Sequence, residues 1–326
     1  MTIAERLTSE PMRAAPEASF VETICFPLLL ESQNTDGGWG FHPGSQSRVE
    51  ATCWALHALL HSGRKKAPES VGRGFQFLRA AQLPDGSWPA SREQKVGCWV
   101  TSLACWVLMS EGNSATAVAS GLRWLCEDWP ADSSRLRRIF GRFTSQSRIS
   151  PINTSYRGWG WTPRTSSWVE PTSFALLALS KSPEKLLPPA AKRRQQLAEA
   201  LLYDRMCPGG AWNCGNPMVY GVTGDRLVVS TVWALLALRH YPERSENVIS
   251  LNWLEERVSG IRGPGSLALA RICLDTYGRK WPLGETAFQD SHQRNEFLHS
   301  IQVVAWTCLA LGPKDSWLAT PSREID

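Results

Sequence analysis

Long apolar runs are missing from this sequence. No stretch of about 18 apolar residues occurs, so no helix is expected to cross a bilayer. The first twenty residues carry acids and lack an extended apolar core, which argues against a secretory signal. Cys-x-x-Cys pairs are absent. The nine Cys are odd in number and scattered through apolar segments, as buried, reduced thiols of a cytoplasmic protein would be. Period-2 alternation is scarce, which leaves little room for β-sheet. A dense basic stripe is lacking too, so a net charge of +5 and a pI near 8.8 permit an anionic partner without pointing to nucleic acid. Tyr is sparse, 5 residues against 16 Trp. With 43% hydrophobic and 20% charged residues in 326, the chain is globular and long enough for a sizeable core.

What is present repeats. Thr52-Cys53-Trp54-Ala55-Leu56-His57-Ala58-Leu59 returns as Thr172-Ser173-Phe174-Ala175-Leu176-Leu177-Ala178-Leu179 and as Thr231-Val232-Trp233-Ala234-Leu235-Leu236-Ala237-Leu238. Looser copies start at Thr101, Leu267 and Val304, giving a unit of roughly 50 residues. These runs are apolar almost all round, which predicts helices buried on every face. Between them lie amphipathic stretches, at 21–33, 70–82, 115–127, 191–206 and 246–258, which predict half-exposed helices. A second repeat is sharper. Gln33-x-x-Asp36-Gly37-Gly38-Trp39 recurs 49 residues on as Gln82-x-x-Asp85-Gly86-Ser87-Trp88, with weaker copies at Gly158-Trp159-Gly160-Trp161 and Gly209-Gly210-Ala211-Trp212. Asp-Gly gives a tight turn with Gly at positive φ, the Gln amide can hold the turn's backbone groups, and the Trp ring is expected to stack over the turn.

The Gln-x-x-Asp-Gly-(Gly/Ser)-Trp element resembles the QW motif of squalene–hopene and related triterpene cyclases, whose α/α toroid is shared by protein prenyltransferase β-subunits. The resemblance covers residues 20–312. It implies an all-α chain, an (α/α)5–6 toroid of tandem helical hairpins with inner helices ringing a central cavity. The expected division is a flexible segment 1–17, a single toroid 18–312 and a tail 313–326.

The chain lacks the cyclases' Asp-x-Asp-Asp, the magnesium-binding Asp-Asp-x-x-Asp and the prenyltransferases' Asp-x-Cys. Two residues before the helix Thr, where the cyclase pattern places its proton-donating Asp, this chain carries Glu50 and Glu170. A carboxyl at the mouth of an apolar cavity is desolvated, stays protonated and can act as a general acid. Glu in a helix's first turn also satisfies the helix dipole, a purely structural role that competes with this one. Trp54, Trp99, Trp106, Phe174, Trp233 and Trp306 on the inner helices are candidate substrate-binding residues, able to bury a polyprenyl chain and to stabilise a carbocation, or else ordinary core. Trp161, Trp168 and Trp212, on loops leading into inner helices, join them. His57 and His61 stand one turn apart, but two ligands do not fix a metal, so no metal site is expected. Arg135, Arg137, Arg138 and Arg142, within the insertion 129–157, suit a diphosphate clamp, a membrane-surface contact or a solvated face.

The expected function is an isoprenoid enzyme acting on a long apolar polyprenyl or terpenoid substrate, through acid-initiated cyclisation with Glu170 or Glu50 as donor. Magnesium is expected only with a diphosphate substrate. Since cyclases of this kind usually use two barrel domains and this chain has room for one, a homodimer or a partner domain is expected. The protein is expected in the cytoplasm, at the membrane periphery if the surface contact exists. The rivals are a non-catalytic toroid that binds an apolar ligand or a protein, and a carbohydrate-active α/α barrel whose paired carboxylates would flank a sugar.

Overall fold

The computed structural model describes residues 20–62, 67–128, 130, 152–284, 286–312 and 318. The four arginines 135, 137, 138 and 142, the segment 1–17 and all of the tail 313–326 except Leu318 lie outside the described residues.

Twelve α-helices are formed among the described residues, in two layers. The inner layer is α2 (Val49–Ser62), α4 (Val100–Leu108), α6 (Val169–Lys181), α8 (Val228–Ala237), α10 (Pro264–Thr276) and α12 (Ile301–Leu311). These are the Ala- and Leu-rich repeats, and most residues in them are buried. The outer layer is α1 (Phe26–Glu31, entered through a π-turn), α3 (Pro68–Ala81), α5 (Ala115–Glu127), α7 (Ala191–Asp204), α9 (Ser245–Arg257) and α11 (Thr286–Asn295). Each inner helix packs on the next, and α12 packs on α2, so the ring closes on itself. The fold is an all-α toroid of six helical hairpins, with one small hairpin, β1 (Met218–Val219) and β2 (Val222–Thr223), between α7 and α8.

The corners hold the layers together. Gln33 Nε2 donates to Gly37 O at 2.8 Å and to Ser70 O on α3 at 2.8 Å. The turn is thereby tied to the next outer helix. Gln82 repeats this on Gly86 O and on Ala117 O of α5, both at 2.9 Å. Gly37 and Gly86 sit at φ +87° and +90°, and a Cβ there would come within 2.6 and 2.8 Å of a carbonyl of the next outer helix. Only glycine meets both conditions.

The tryptophans act differently from the stacking expected of them. In four corners the indole N–H donates to a carbonyl of an outer helix: Trp39 to Leu29, Trp88 to Leu78, Trp159 to Leu125 and Trp212 to Leu202, at 2.6–2.8 Å. The backbone N–H of the same four residues donates to the repeat threonine of the following inner helix, Thr52, Thr101, Thr172 and Thr231, at 2.9–3.0 Å. Each Trp is therefore a bolt through outer helix, turn and inner helix. The third corner lacks the Gln, and there Arg194 of α7 lies over the Trp159 ring at 4.1 Å and donates to Asp128 O at 2.9 Å.

The loops entering the inner helices are stitched to one another. Val49 N donates to Ala90 O, Trp99 N to Trp161 O, Val169 N to Cys214 O and Ile301 N to Phe41 O, at 2.9–3.3 Å. The N-terminal ends of α12, α2, α4, α6 and α8 are thus bound by one collar of loops.

Candidate functional site

The expected central cavity is filled. Trp54 of α2 meets Trp233 of α8, directly across the ring, at a centroid separation of 5.3 Å. It also meets Trp306 at 5.6 Å, Phe174 at 6.2 Å and Trp106 at 6.3 Å. Phe174 and Trp233 touch at 4.7 Å. These rings bury one another; Trp54 is 0% exposed and Trp306 9%. Five of the six inner helices contribute a large ring here and α10 contributes none, and the five rings pack on one another at the centre of the toroid. Trp212 is likewise a corner bolt, fully buried with its indole N–H donating to Leu202 O.

Above this plug, at the collar, the aromatics are more open. Trp99 is half-buried, stacks on Phe174 at 5.1 Å and meets Trp161 edge-on at 5.1 Å. Trp168, at the entry to α6, is 38% exposed. Glu50 and Glu170 occupy the same mouth, each in the first turn of its inner helix.

Gln302 of α12 donates to Glu50 Oε1 at 2.8 Å. Burial nevertheless holds the Glu50 carboxyl up at about 7, against 4.5 ordinarily, and the Gln302 bond offsets only part of this. Glu170 is buried, and Ser230 Oγ of α8 donates to its Oε1 at 2.5 Å. Burial again raises its carboxyl, with the Ser230 bond acting the other way. The positive helix end favours the charged form of each by only about 0.3–1 kcal/mol, too little to overcome a shift of the size seen at Glu50. Glu170 Oε2 is buried with no hydrogen-bond partner among the described residues. With Oε1 accepting from Ser230, Oε2 is the oxygen that a proton on this carboxyl would occupy.

The rest of the expected site does not gather here. His57 and His61 stack at 6.1 Å in the lower half of the ring, and burial keeps His57 uncharged. Among the described residues no three His, Cys, Asp or Glu side chains come together as metal ligands. No described helix is long and apolar enough to span a membrane. Eight of the nine cysteines are buried and Cys214 is half-buried. Ser230 was invisible as a site residue, since only its place before Thr231 marks it.

No family model matches this sequence. Drimenyl diphosphate synthase from Streptomyces showdoensis is 24% identical over 251 residues, 65% of this chain and 45% of that protein. Human lanosterol synthase is 37% identical over 72 residues, 19% of this chain and 10% of that one. The chain therefore spans less than half the length of the curated relatives it matches. Among solved structures, the type II terpene cyclase MstE from Scytonema, holding geranylgeranyl dihydroxybenzoate, superposes with a TM-score of 0.51 at 12% identity, covering 87% of this chain and 76% of that one. A family 8 endoglucanase from Klebsiella pneumoniae reaches 0.53 at 12% identity, with 88% and 97% covered, so the toroid alone does not separate the two chemistries. The sequence matches named here are to terpene cyclases, and with the corner motif they make the chain similar to that family, a terpene cyclase-like α/α toroid.

Proposed function

We propose that this chain is the acid-bearing lobe of an enzyme that cyclises apolar isoprenoids, with Glu170 as proton donor. The observation that carries the reading is the buried, hydrogen-bond-oriented carboxyl of Glu170, with an unpartnered oxygen, in the slot where the related cyclases keep their acid. Its Oε2–H would protonate a terminal alkene. The new C–H bond takes the O–H proton, the positive charge moves to the adjacent carbon, and the next double bond closes on it. Trp99, Trp161 and Trp168 supply ring faces at the mouth, each contributing about 1–2 kcal/mol to a dry cation. Glu50, held by Gln302, is the alternative donor in the same arrangement.

The filled ring has a consequence for this reading. The guest must lie on the collar, not inside the toroid, and something must cover it to exclude water. Phe41, Val96, Trp168, Tyr220, Val222 and Leu227 are large apolar side chains left exposed on the collar loops. Exposed apolar side chains gathered on one face mark an interaction surface. Together with the chain's share of its relatives' length, this supports a second lobe, on another chain or a second copy, closing over the mouth. The same filled ring favours one rival, a non-catalytic toroid whose collar simply docks a protein.

The purified chain, alone and with a co-purifying partner, should be incubated with squalene and with geranylgeranyl diphosphate, with and without magnesium, and the products read by mass spectrometry. Magnesium-independent cyclic product that disappears in Glu170→Gln supports the reading. Undiminished turnover in that variant removes Glu170 as the donor, and the docking toroid takes precedence if no condition gives product.

A further inference from the structure

A pocket lies apart from Glu170, beside the β1–β2 hairpin. It measures about 350 Å³ and is lined by Pro208, Thr223, Gly224, Asp225, Arg226, Trp253 and Arg257. One wall comes from the β1–β2 hairpin and the chain that follows it, the other from the last turn of α9. Two guanidinium groups face one indole: Arg257 lies 4.4 Å and Arg226 5.6 Å from the centre of the Trp253 ring.

Each arginine is held in place by the backbone. Arg226 Nη1 donates to Gly209 O at 3.3 Å, and Arg257 Nη1 donates to Trp253 O at 3.5 Å. These bonds leave the other N–H groups of both forks uncommitted. Arg226 has no carboxylate partner within ion-pair distance among the described residues, and Arg257 has one long contact, 4.0 Å to Glu256, a side chain 75% exposed. Trp253 is 6% exposed, and its indole N–H is buried with no acceptor among the described residues. Two guanidinium forks around one cavity, both set over the Trp253 ring, form a donor set for an oxyanion.

We propose that this pocket binds a phosphate-type anion, a diphosphate in particular, between Arg226 and Arg257 beside the Trp253 ring. The volume exceeds what a single phosphate fills and suits a diphosphate with part of an attached chain. Arg226 stands four residues before Ser230, the donor to Glu170, and exposed Val222 and Leu227 flank it on the collar. An anionic head in the pocket could thus trail an apolar tail toward the mouth. Asp225 opposes this, since its carboxylate lies on the same wall, and that gives the proposal a second, oppositely signed test. The inference does not depend on the carboxyl chemistry proposed above. A chain that turns over only squalene could still hold diphosphate here, and a chain without the pocket's anion could still use Glu170.

The test is isothermal titration calorimetry on the full chain with inorganic phosphate, inorganic diphosphate and geranylgeranyl diphosphate. Diphosphate is expected to bind saturably, and Arg226→Ala and Arg257→Ala each to weaken it tenfold or more, with Arg257→Lys also weaker than wild type. Asp225→Asn should tighten it several-fold. Arg262→Ala, on a neighbouring collar loop, should leave it unchanged. Circular dichroism melts confirm that each variant is folded. Equal affinity for the inorganic and the prenylated diphosphate identifies a site for the free anion, and tighter binding of the prenylated form identifies a lipid headgroup. Absence of diphosphate binding at millimolar concentration, retention of affinity in the Arg226→Ala/Arg257→Ala double variant, or an Arg262→Ala loss as large as theirs overturns the proposal.

Discussion

The threonine that opens each inner helix does more than start a helix. Thr101 Oγ1 accepts the Trp88 backbone N–H at 2.9 Å, inside a region from which water is excluded. Thr101→Val keeps the shape and removes the acceptor. The orphaned N–H should cost about 1–3 kcal/mol, whereas Thr101→Ser, which keeps the oxygen, should cost less. Urea unfolding of the two variants checks this, and equal losses would show that only the methyl group matters. The latch was half legible in the sequence. Trp and Thr stand 13 residues apart in the first three corners and 19 apart in the fourth, where the β1–β2 hairpin lengthens the loop. The direction of the indole was not legible. It depends on where the outer-helix carbonyls end, which no local spacing encodes.

At the level of the helix, Glu50 shows two effects of opposite sign at the start of α2. The helix end stabilises its charge, while burial raises its carboxyl to about 7, above the ordinary 4.5. Its contribution to stability is therefore fully present below pH 4.5 and is lost as pH rises through about 7. Glu50→Gln keeps an acceptor for Gln302 and removes the titration. Between pH 4.5 and 8 the wild type should lose on the order of 1–3 kcal/mol more than the variant. Denaturant unfolding across that range measures the difference, and parallel pH profiles would place Glu50 in water. The inner helices and five outer ones were legible because their periodicities are strong. Helix α11 was not, because only Phe288 and Ser291 of its ten residues are buried, too few to print a pattern. Glu50 and Glu170 are marked in the sequence by their slot before the threonine, whereas their partners Gln302 and Ser230 come from neighbouring helices and meet them only when the ring forms.

Across the whole molecule, the question is what holds the ring's centre. The sequence shows that large rings recur on the inner helices. It does not show whether five such faces leave a hollow or fill one, because that is set by the radius at which the ring closes. Here α2 and α8 meet through Trp54 and Trp233, so the toroid is braced across its diameter as well as around its rim. Trp54→Ala removes the ring that touches Trp106, Phe174, Trp233 and Trp306 at once. Such a truncation should cost about 3–5 kcal/mol and leave a dry, aromatic-walled void. A void of that shape accepts the piece that was removed. Added indole should therefore raise the melting temperature of Trp54→Ala and leave that of the wild type unchanged. If the centre were open, the variant would lose little and indole would stabilise both proteins alike. The comparison of the two melting curves thus decides whether a guest must lie on the collar, as the Glu170 mouth requires, or can enter the ring.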